Sequence, residues 1–103
     1  MTIITTDFAK AQLRDIYNYY SREVSENTAL KLINKILSAI DDLGRHLSLG
    51  VKEPLLAEIN LGHKFIVAGN YKIIFHLEGK TIYITDIFDC RQNPSKILSR
   101  GKK

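Results

Sequence analysis

Very short links separate the β-rich segments in the second half of the chain, and they limit the fold more than any other feature. These segments are rich in Ile, Val, Tyr, Phe and Thr, which favour strands. A parallel crossover needs about a dozen residues or more, so such links permit antiparallel pairing only. We therefore predict an antiparallel meander of Leu56–Asn60, Lys64–Ala68, Tyr71–Leu77 and Thr81–Phe88, linked by Leu61-Gly62, Gly69-Asn70 and Glu78-Gly79-Lys80.

The first half of the chain has helical periodicity after a short β-branched segment, Met1–Thr5, which predicts a first strand. One helix begins at Asp7 with Thr6 or Asp7 as its N-cap, and a longer one follows Ser25, a second N-cap. Apolar residues recur at three- and four-residue steps in both. They are Ala9, Leu13, Ile16, Tyr20 and Val24, then Ala29, Ile33, Ile36, Ile40, Leu43 and Leu47.

These elements predict a single α+β domain over residues 1–103. The short link between the helices makes them an antiparallel hairpin, which packs on one face of the meander. Gly44 and Gly50 mark possible ends of the second helix, and a turn or loop follows through Pro54. We expect Ile97-Leu98 to close one end of the fold.

Alternation along the third predicted strand separates two kinds of side chain. One face, the aromatic one, carries Tyr71, Ile73, Phe75 and Leu77, and the other carries Lys72, Ile74 and His76. If the helices cover the aromatic face, Lys72 and His76 lie on the face away from the helices.

Positive charge is concentrated at the C-terminus. Residues 1–90 carry ten Lys or Arg against eleven Asp or Glu, whereas residues 91–103 carry five basic residues and no acid. Such a basic tail is typical of a surface that binds nucleic acid or an acidic protein, and the alternative is a solvated terminus. Its basic residues are Arg91, Lys96, Arg100, Lys102 and Lys103.

Composition argues against several function classes. No apolar run is long enough for a membrane span, and no signal peptide is recognisable, so we expect a cytoplasmic protein. Cys90 is the single cysteine, which rules out an internal disulfide and fits a reducing compartment. His46, His63 and His76 are too scattered for a metal motif. No Gly-rich phosphate loop is present, so ATP or NAD chemistry is not indicated. We therefore expect no metal and no cofactor.

The remaining candidates for chemistry are mostly cationic. Asp86 and Asp89 lie on opposite faces of the last strand, and we expect them to pair with Lys64, Lys72 or Arg91. The three cations could together line a shallow basic surface that grips phosphate. Cleavage of RNA would need a general base as well, and histidine has a suitable pKa. The catalytic candidates under that hypothesis are Lys64, Arg91, His76 and His63.

Two sets of positions resemble the RelE/ParE toxin superfamily over nearly the whole chain. In the helical hairpin they are Ala11, Leu13, Ile16, Tyr19-Tyr20, Ser25, Ala29, Ile33, Ile36, Ile40, Leu43 and Gly50. In the strands they are residues 64–75 (KFIVAGNYKIIF), 82–88 (IYITDIF) and 91–94 (RQNP). The resemblance implies a toxin of a bacterial type II toxin–antitoxin pair, neutralised by a small, usually acidic antitoxin.

The resemblance also implies one of two targets. ParE-like members poison DNA gyrase, whereas RelE-like members cut mRNA on the ribosome. The long helices resemble the ParE branch. RelE-like cleavage uses basic residues with a C-terminal Tyr or a His/Tyr pair, and no Tyr follows Tyr83. Lys64 and Lys72 stand where the family often has Arg, Arg91 matches its basic residue after the last strand, and Leu47 stands where it commonly has Pro.

Three hypotheses follow from these observations. The first is a ParE-like toxin that binds gyrase without chemistry of its own, the second a ribosome-dependent mRNA endonuclease, and the third an inactive toxin fold that only binds a partner. Under the first, the antitoxin covers the sheet edge. The expected contacts to target or antitoxin are Lys64, Lys72, Arg91, Lys96, Arg100, Lys102 and Lys103.

Overall fold

A two-helix hairpin lies on a five-stranded sheet in the computed structural model, which describes residues 2–45, 50–59 and 62–101. The strand order is β1-β5-β4-β3-β2. The elements are β1 (Thr2–Thr5), α1 (Asp7–Glu23), α2 (Glu26–Arg45), β2 (Val51–Lys52), a 3₁₀ helix (Pro54–Ile59), β3 (Lys64–Ala68), β4 (Tyr71–Glu78), β5 (Thr81–Asp89) and α3 (Ser95–Gly101).

The sheet is antiparallel except at β1. β3, β4 and β5 form the predicted meander through the tight links at residues 69–70 and 79–80. β1 instead pairs parallel with β5, from Thr2 opposite Thr81 to Thr5 opposite Ile84. A parallel pair is possible here because the link after β1 is long. It contains the whole helical hairpin, which is long enough to form the crossover connection.

Both predicted N-caps of the hairpin are confirmed. The Thr6 hydroxyl accepts a hydrogen bond from the Ala9 amide at 3.2 Å, and the Ser25 hydroxyl accepts one from the Thr28 amide at 3.1 Å. Each cap satisfies an amide that the first turn leaves without a helical partner. α2 continues through Gly44 to Arg45, and Leu47 lies outside the described residues.

Gly44 is a point of close contact between α2 and β1. A Cβ atom built at Gly44 would lie 2.7 Å from Cδ1 of Ile3. A larger residue would therefore require the end of the Ile3 side chain to move. The described part of α2 ends at Arg45, one residue after Gly44.

The main core lies between the hairpin and the sheet. Isoleucines of β4 and β5 pack against the inner faces of the two helices, as the helical periodicity predicts. Burial of this apolar surface is the main force that holds the hairpin on the sheet. Its fully or almost fully buried members include Ala9, Ile36, Leu43, Ile73, Phe75, Ile82, Ile84 and Ile87.

A β-bulge in β5 sends the following side chain to the other face of the sheet. Ile74 pairs with Asp86 and Phe75 with Ile84, so Thr85 is an extra residue, and its hydroxyl donates to the Ile74 carbonyl at 3.3 Å. Without the bulge, strict alternation would place Asp86 in the apolar core beside Ile84. The bulge places Asp86 on the face opposite the helices.

That opposite face is also covered, by a second core cluster of Leu56, Ile74, Phe88 and Ile97. The predicted strand at Leu56–Asn60 is wrong, because this segment is the 3₁₀ helix, although Asn60 lies outside the described residues. Pro54 starts a helical turn with φ already fixed, and the carboxylate of Glu53 accepts a hydrogen bond from the Leu55 amide at 3.2 Å. Leu56 can then pack beneath α3.

The segment predicted as a basic tail contains α3. Ile97 is 1% exposed and Leu98 packs beside it, so the expectation that they close the end of the fold is confirmed. The loop predicted through Pro54 also contains β2, which pairs Val51 with Phe65 and Lys52 with Lys64.

Candidate functional site

A buried ion pair holds Lys72, one of the predicted phosphate-binding residues. Its ammonium lies 2.9 Å from Oε2 of Glu53 and 4.2 Å from the centre of the Phe65 ring. The Glu53 side chain is fully buried, and that of Lys72 is 24% exposed. A buried carboxylate needs a cation and hydrogen bonds to offset the loss of water. Lys72 is therefore committed to the fold.

Two histidines predicted as general bases are buried next to one another. The rings of His63 and His76 meet edge to face at 5.0 Å, and His76 stacks on Tyr83 at 5.4 Å. Neither Nδ1 atom has a hydrogen-bond partner within the described part of the chain. Burial, together with the neighbouring His76, lowers the pKa of His63. Both residues are less than a tenth exposed and are poorly placed to reach a substrate.

Acid should destabilise the fold through His63. Because burial lowers its pKa when folded, the unfolded chain binds a proton first, near the ordinary pKa of about 6.5. Stability is therefore complete above that pH, falls as the pH drops below it, and levels off below the folded pKa. Urea unfolding at pH 7.5, 6.5 and 5.5 should show this loss, and His63→Gln should reduce it. An undiminished loss in the variant would contradict the assignment.

Arg91 is fixed on the helix side of the sheet by a bidentate contact with Asp89. Its Nε and Nη2 atoms lie 2.9 and 2.8 Å from the two carboxylate oxygens, and Nη2 also donates to the Tyr20 hydroxyl at 3.0 Å. This contact lowers the pKa of Asp89 and raises the pKa of Arg91. The predicted pairing of Asp89 with Arg91 is confirmed. The guanidinium remains on the surface, since 56% of the Arg91 side chain is exposed.

Arg100 ties α3 to β5. Its guanidinium pairs with Asp86 and contacts the Ile87 carbonyl at 3.5 Å. It also lies 5.2 Å from the centre of the Phe8 ring and 5.0 Å from that of Phe88. Asp86 thus pairs with Arg100 and with none of the cations predicted for it. Burial raises the pKa of Asp86, and the guanidinium opposes that rise. The Asp86 side chain is 7% exposed and that of Arg100 is 16% exposed.

The predicted shallow basic surface is not assembled. Arg91 lies on the helix side, whereas Lys72 belongs to the opposite face with His76. Lys64 is half-buried on β3 and Lys96 is exposed on α3, and the described residues give neither an ion pair. Lys102 and Lys103 lie outside the described residues. Three of the predicted contact residues, Lys72, Arg91 and Arg100, therefore pair with carboxylates of this same chain.

Sequence reasoning missed Glu53 and Tyr20 as polar partners. Tyr20 sits on the apolar stripe of α1, where its hydroxyl gives no separate sign of its role. Glu53 lies in a segment expected to be a loop, and nothing in its neighbours marks it as buried.

Two further features are absent from the described ranges. No cluster of three potential metal ligands occurs there. None of the described helices is long and apolar enough to cross a membrane.

Comparison with known proteins identifies the family. The family model described as the ParE toxin of the type II toxin–antitoxin system parDE matches residues 3–94. The chain belongs to the ParE toxin family. A chain of the chromosomal ParDE toxin–antitoxin system from P. aeruginosa superimposes on this ParE protein with a TM-score of 0.73 at 25% identity. The alignment covers 86% of this chain and 95% of that one. Among curated proteins, no significant match is found.

Membership confirms the predicted superfamily and its ParE-like branch. The α+β architecture, with its N-terminal strand, helical hairpin and mainly antiparallel sheet, agrees with the ParE fold of the structural neighbour. The family also implies a cognate antitoxin as a partner of this ParE toxin.

Proposed function

We propose that this ParE toxin arrests growth in the bacterial cytoplasm by binding DNA gyrase, without cutting RNA. One observation carries the choice between the two predicted targets. The residues that an RNA-cutting site would need lie on two faces of the sheet, with Arg91 on the helix side and the buried His63 and His76 on the other. Acid–base catalysis requires such groups within hydrogen-bond reach of the same bond.

A toxin that only binds gyrase does not need Arg91, His63 and His76 close together. Gyrase would be contacted by exposed positions of the helical hairpin and by the basic C-terminal region, as the sequence predicts. Within that region the exposed Lys96 and the surface of Arg91 are the best candidates, together with Lys102 and Lys103. Lys64, at the β2–β3 side of the sheet, is the candidate contact to the antitoxin on the sheet edge. Lys72 and Arg100 act in this proposal by holding the fold.

Purified components test the proposed target directly. The protein is added to gyrase with relaxed plasmid, and separately to ribosomes carrying a defined mRNA, with the heat-denatured protein as control. We expect loss of supercoiling or accumulation of cleaved plasmid, and intact mRNA. Ribosome-dependent cuts in the mRNA with normal supercoiling would contradict the proposal. No effect in either assay would contradict it as well and would favour the hypothesis of an inactive binding module.

A further inference from the structure

A cleft opens where β1 ends and β5 continues. β1 pairs with β5 only as far as Ile84, whereas β5 runs on to Asp89 beside α1. The space between α1 and this last part of β5 is a cleft of about 490 Å³. Its lining combines apolar side chains, Ile16 and Ile87 among them, with a larger number of polar ones. The polar side chains include Gln12, Asp15, Tyr19, Asp89, Arg91 and Gln92.

The charges of the cleft cancel except at Asp15. Arg91 is neutralised by Asp89, and Arg100, at the margin of the cleft, is neutralised by Asp86. Asp15 makes no ion pair with any described residue. Nor does its own helix offer one, because the residues three and four positions away are all uncharged. Those residues are Ala11, Gln12, Asn18 and Tyr19.

An aromatic ring stands next to this free carboxylate. Tyr19 lies one helical turn after Asp15 and is 52% exposed, although it lines the cleft. Its ring meets that of Tyr20 edge to face at 5.2 Å, and the Tyr20 hydroxyl is itself held by Arg91. The Tyr19 ring therefore has a contact that limits its motion, and about half of the residue remains accessible to a ligand.

A carboxylate beside an aromatic ring favours a planar cation. Guanidinium groups pair with carboxylates and stack on aromatic faces, and they are less strongly hydrated than ammonium groups. One wall of the cleft already shows a guanidinium held by a carboxylate, since Arg91 pairs with Asp89 and donates to the Tyr20 hydroxyl. An anion is disfavoured, because the Asp15 carboxylate would repel it and Asp89 already occupies two nitrogens of Arg91.

We propose that the cleft between α1 and the end of β5 binds the guanidinium of an arginine side chain presented by a partner protein, through Asp15 and Tyr19. The inference does not depend on the proposed gyrase target, because it concerns the chemistry of the cleft alone.

An NMR titration of the full chain with N-acetyl-arginine-N-methylamide tests this site. The expected result is a saturable shift of amide signals at residues 12–19 and 89–92. The corresponding glutamate derivative should give no saturable shift there. Putrescine should bind more weakly than the arginine derivative, which separates a protein side chain from a free diamine.

Substitutions show which side chains contribute to the affinity for the arginine derivative. Asp15→Asn should weaken binding of the arginine derivative by about two- to fivefold, the range of an exposed ion pair. Tyr19→Leu should weaken it as well. Glu78→Gln removes the same charge at the far end of β4 and should leave the affinity unchanged. The proposal is overturned if the shifts fall elsewhere or are absent, if glutamate or putrescine binds as well as arginine, or if Asp15→Asn binds like the parent.

Discussion

Arg100→Met should lower the free energy of unfolding by about 3 kcal/mol, the lower end of the range for breaking a buried ion pair. The methionine keeps most of the apolar contact with Phe8 and Phe88, but it leaves the Asp86 carboxylate buried without its cation. Urea unfolding at pH 7 measures the loss. Lys96→Met is the matched control, because it removes an exposed positive charge from the same helix and should change stability little.

The loss caused by Arg100→Met should depend on pH in a defined direction. Burial already raises the pKa of Asp86, and removal of the opposing guanidinium should raise that pKa further. A carboxyl whose folded pKa lies above its unfolded pKa binds its proton more tightly in the folded state. Acid therefore stabilises this group, and the deficit of the variant relative to its parent should shrink between pH 7 and pH 5. A constant deficit would contradict the role of Asp86.

Lys72→Met, on β4, should also lower the free energy of unfolding by about 3 kcal/mol. Among the described residues, the variant leaves the Glu53 carboxylate with one hydrogen bond, from the Leu55 amide, and no ion-pair partner. We expect the low end of the range for buried pairs because the Lys72 side chain keeps 24% exposure. Thermal or urea unfolding with intact secondary structure at low denaturant provides the measurement.

Two comparisons separate loss of the ion pair from loss of a lysine. Lys64→Met removes a lysine from the neighbouring strand that has no carboxylate partner in the described residues, and it should cost little. Glu53→Gln combined with Lys72→Met removes both charges, and it should recover part of the stability lost in the single variant. Equal losses for the two lysine variants would show that the buried carboxylate is not the cause.

Local rules predicted much of this fold. The meander follows from links too short for a crossover, and the hairpin from periodic apolar residues behind Thr6 and Ser25, whose capping hydrogen bonds are present. Such features depend on neighbours along the chain, so a single sequence contains them. The faces of β4 were also predicted correctly, with Tyr71, Ile73 and Phe75 toward the helices.

Features that depend on distant partners were not predictable. The apolar run at Leu56 fits a strand as well as a helical turn, and the cover provided by α3 decides between them. The bulge at Thr85 has no local marker, yet it determines that Asp86 faces Arg100. The partner of Lys72 is a glutamate nineteen positions away in an irregular segment. The sequence predicts the partner of Arg91, which is only two positions away, but not the partners of Lys72 and Arg100.

The C-terminal charge therefore has two roles in this account. Arg91 and Arg100 bind carboxylates of β5 and anchor the chain that follows the sheet. The exposed Lys96 and the exposed surface of Arg91, with Lys102 and Lys103, are the part proposed to meet a partner. Replacing all the basic residues together would mix loss of stability with loss of binding, so variants in this region should be made singly.

Pulse labelling of bacteria in the first minutes after expression without antitoxin tests the proposed target most directly. Thymidine and methionine incorporation are followed in parallel, so that the order of arrest is measured before secondary effects appear. DNA synthesis should fall first, as expected for a gyrase poison. Protein synthesis falling first would contradict it and would favour cleavage of mRNA on the ribosome.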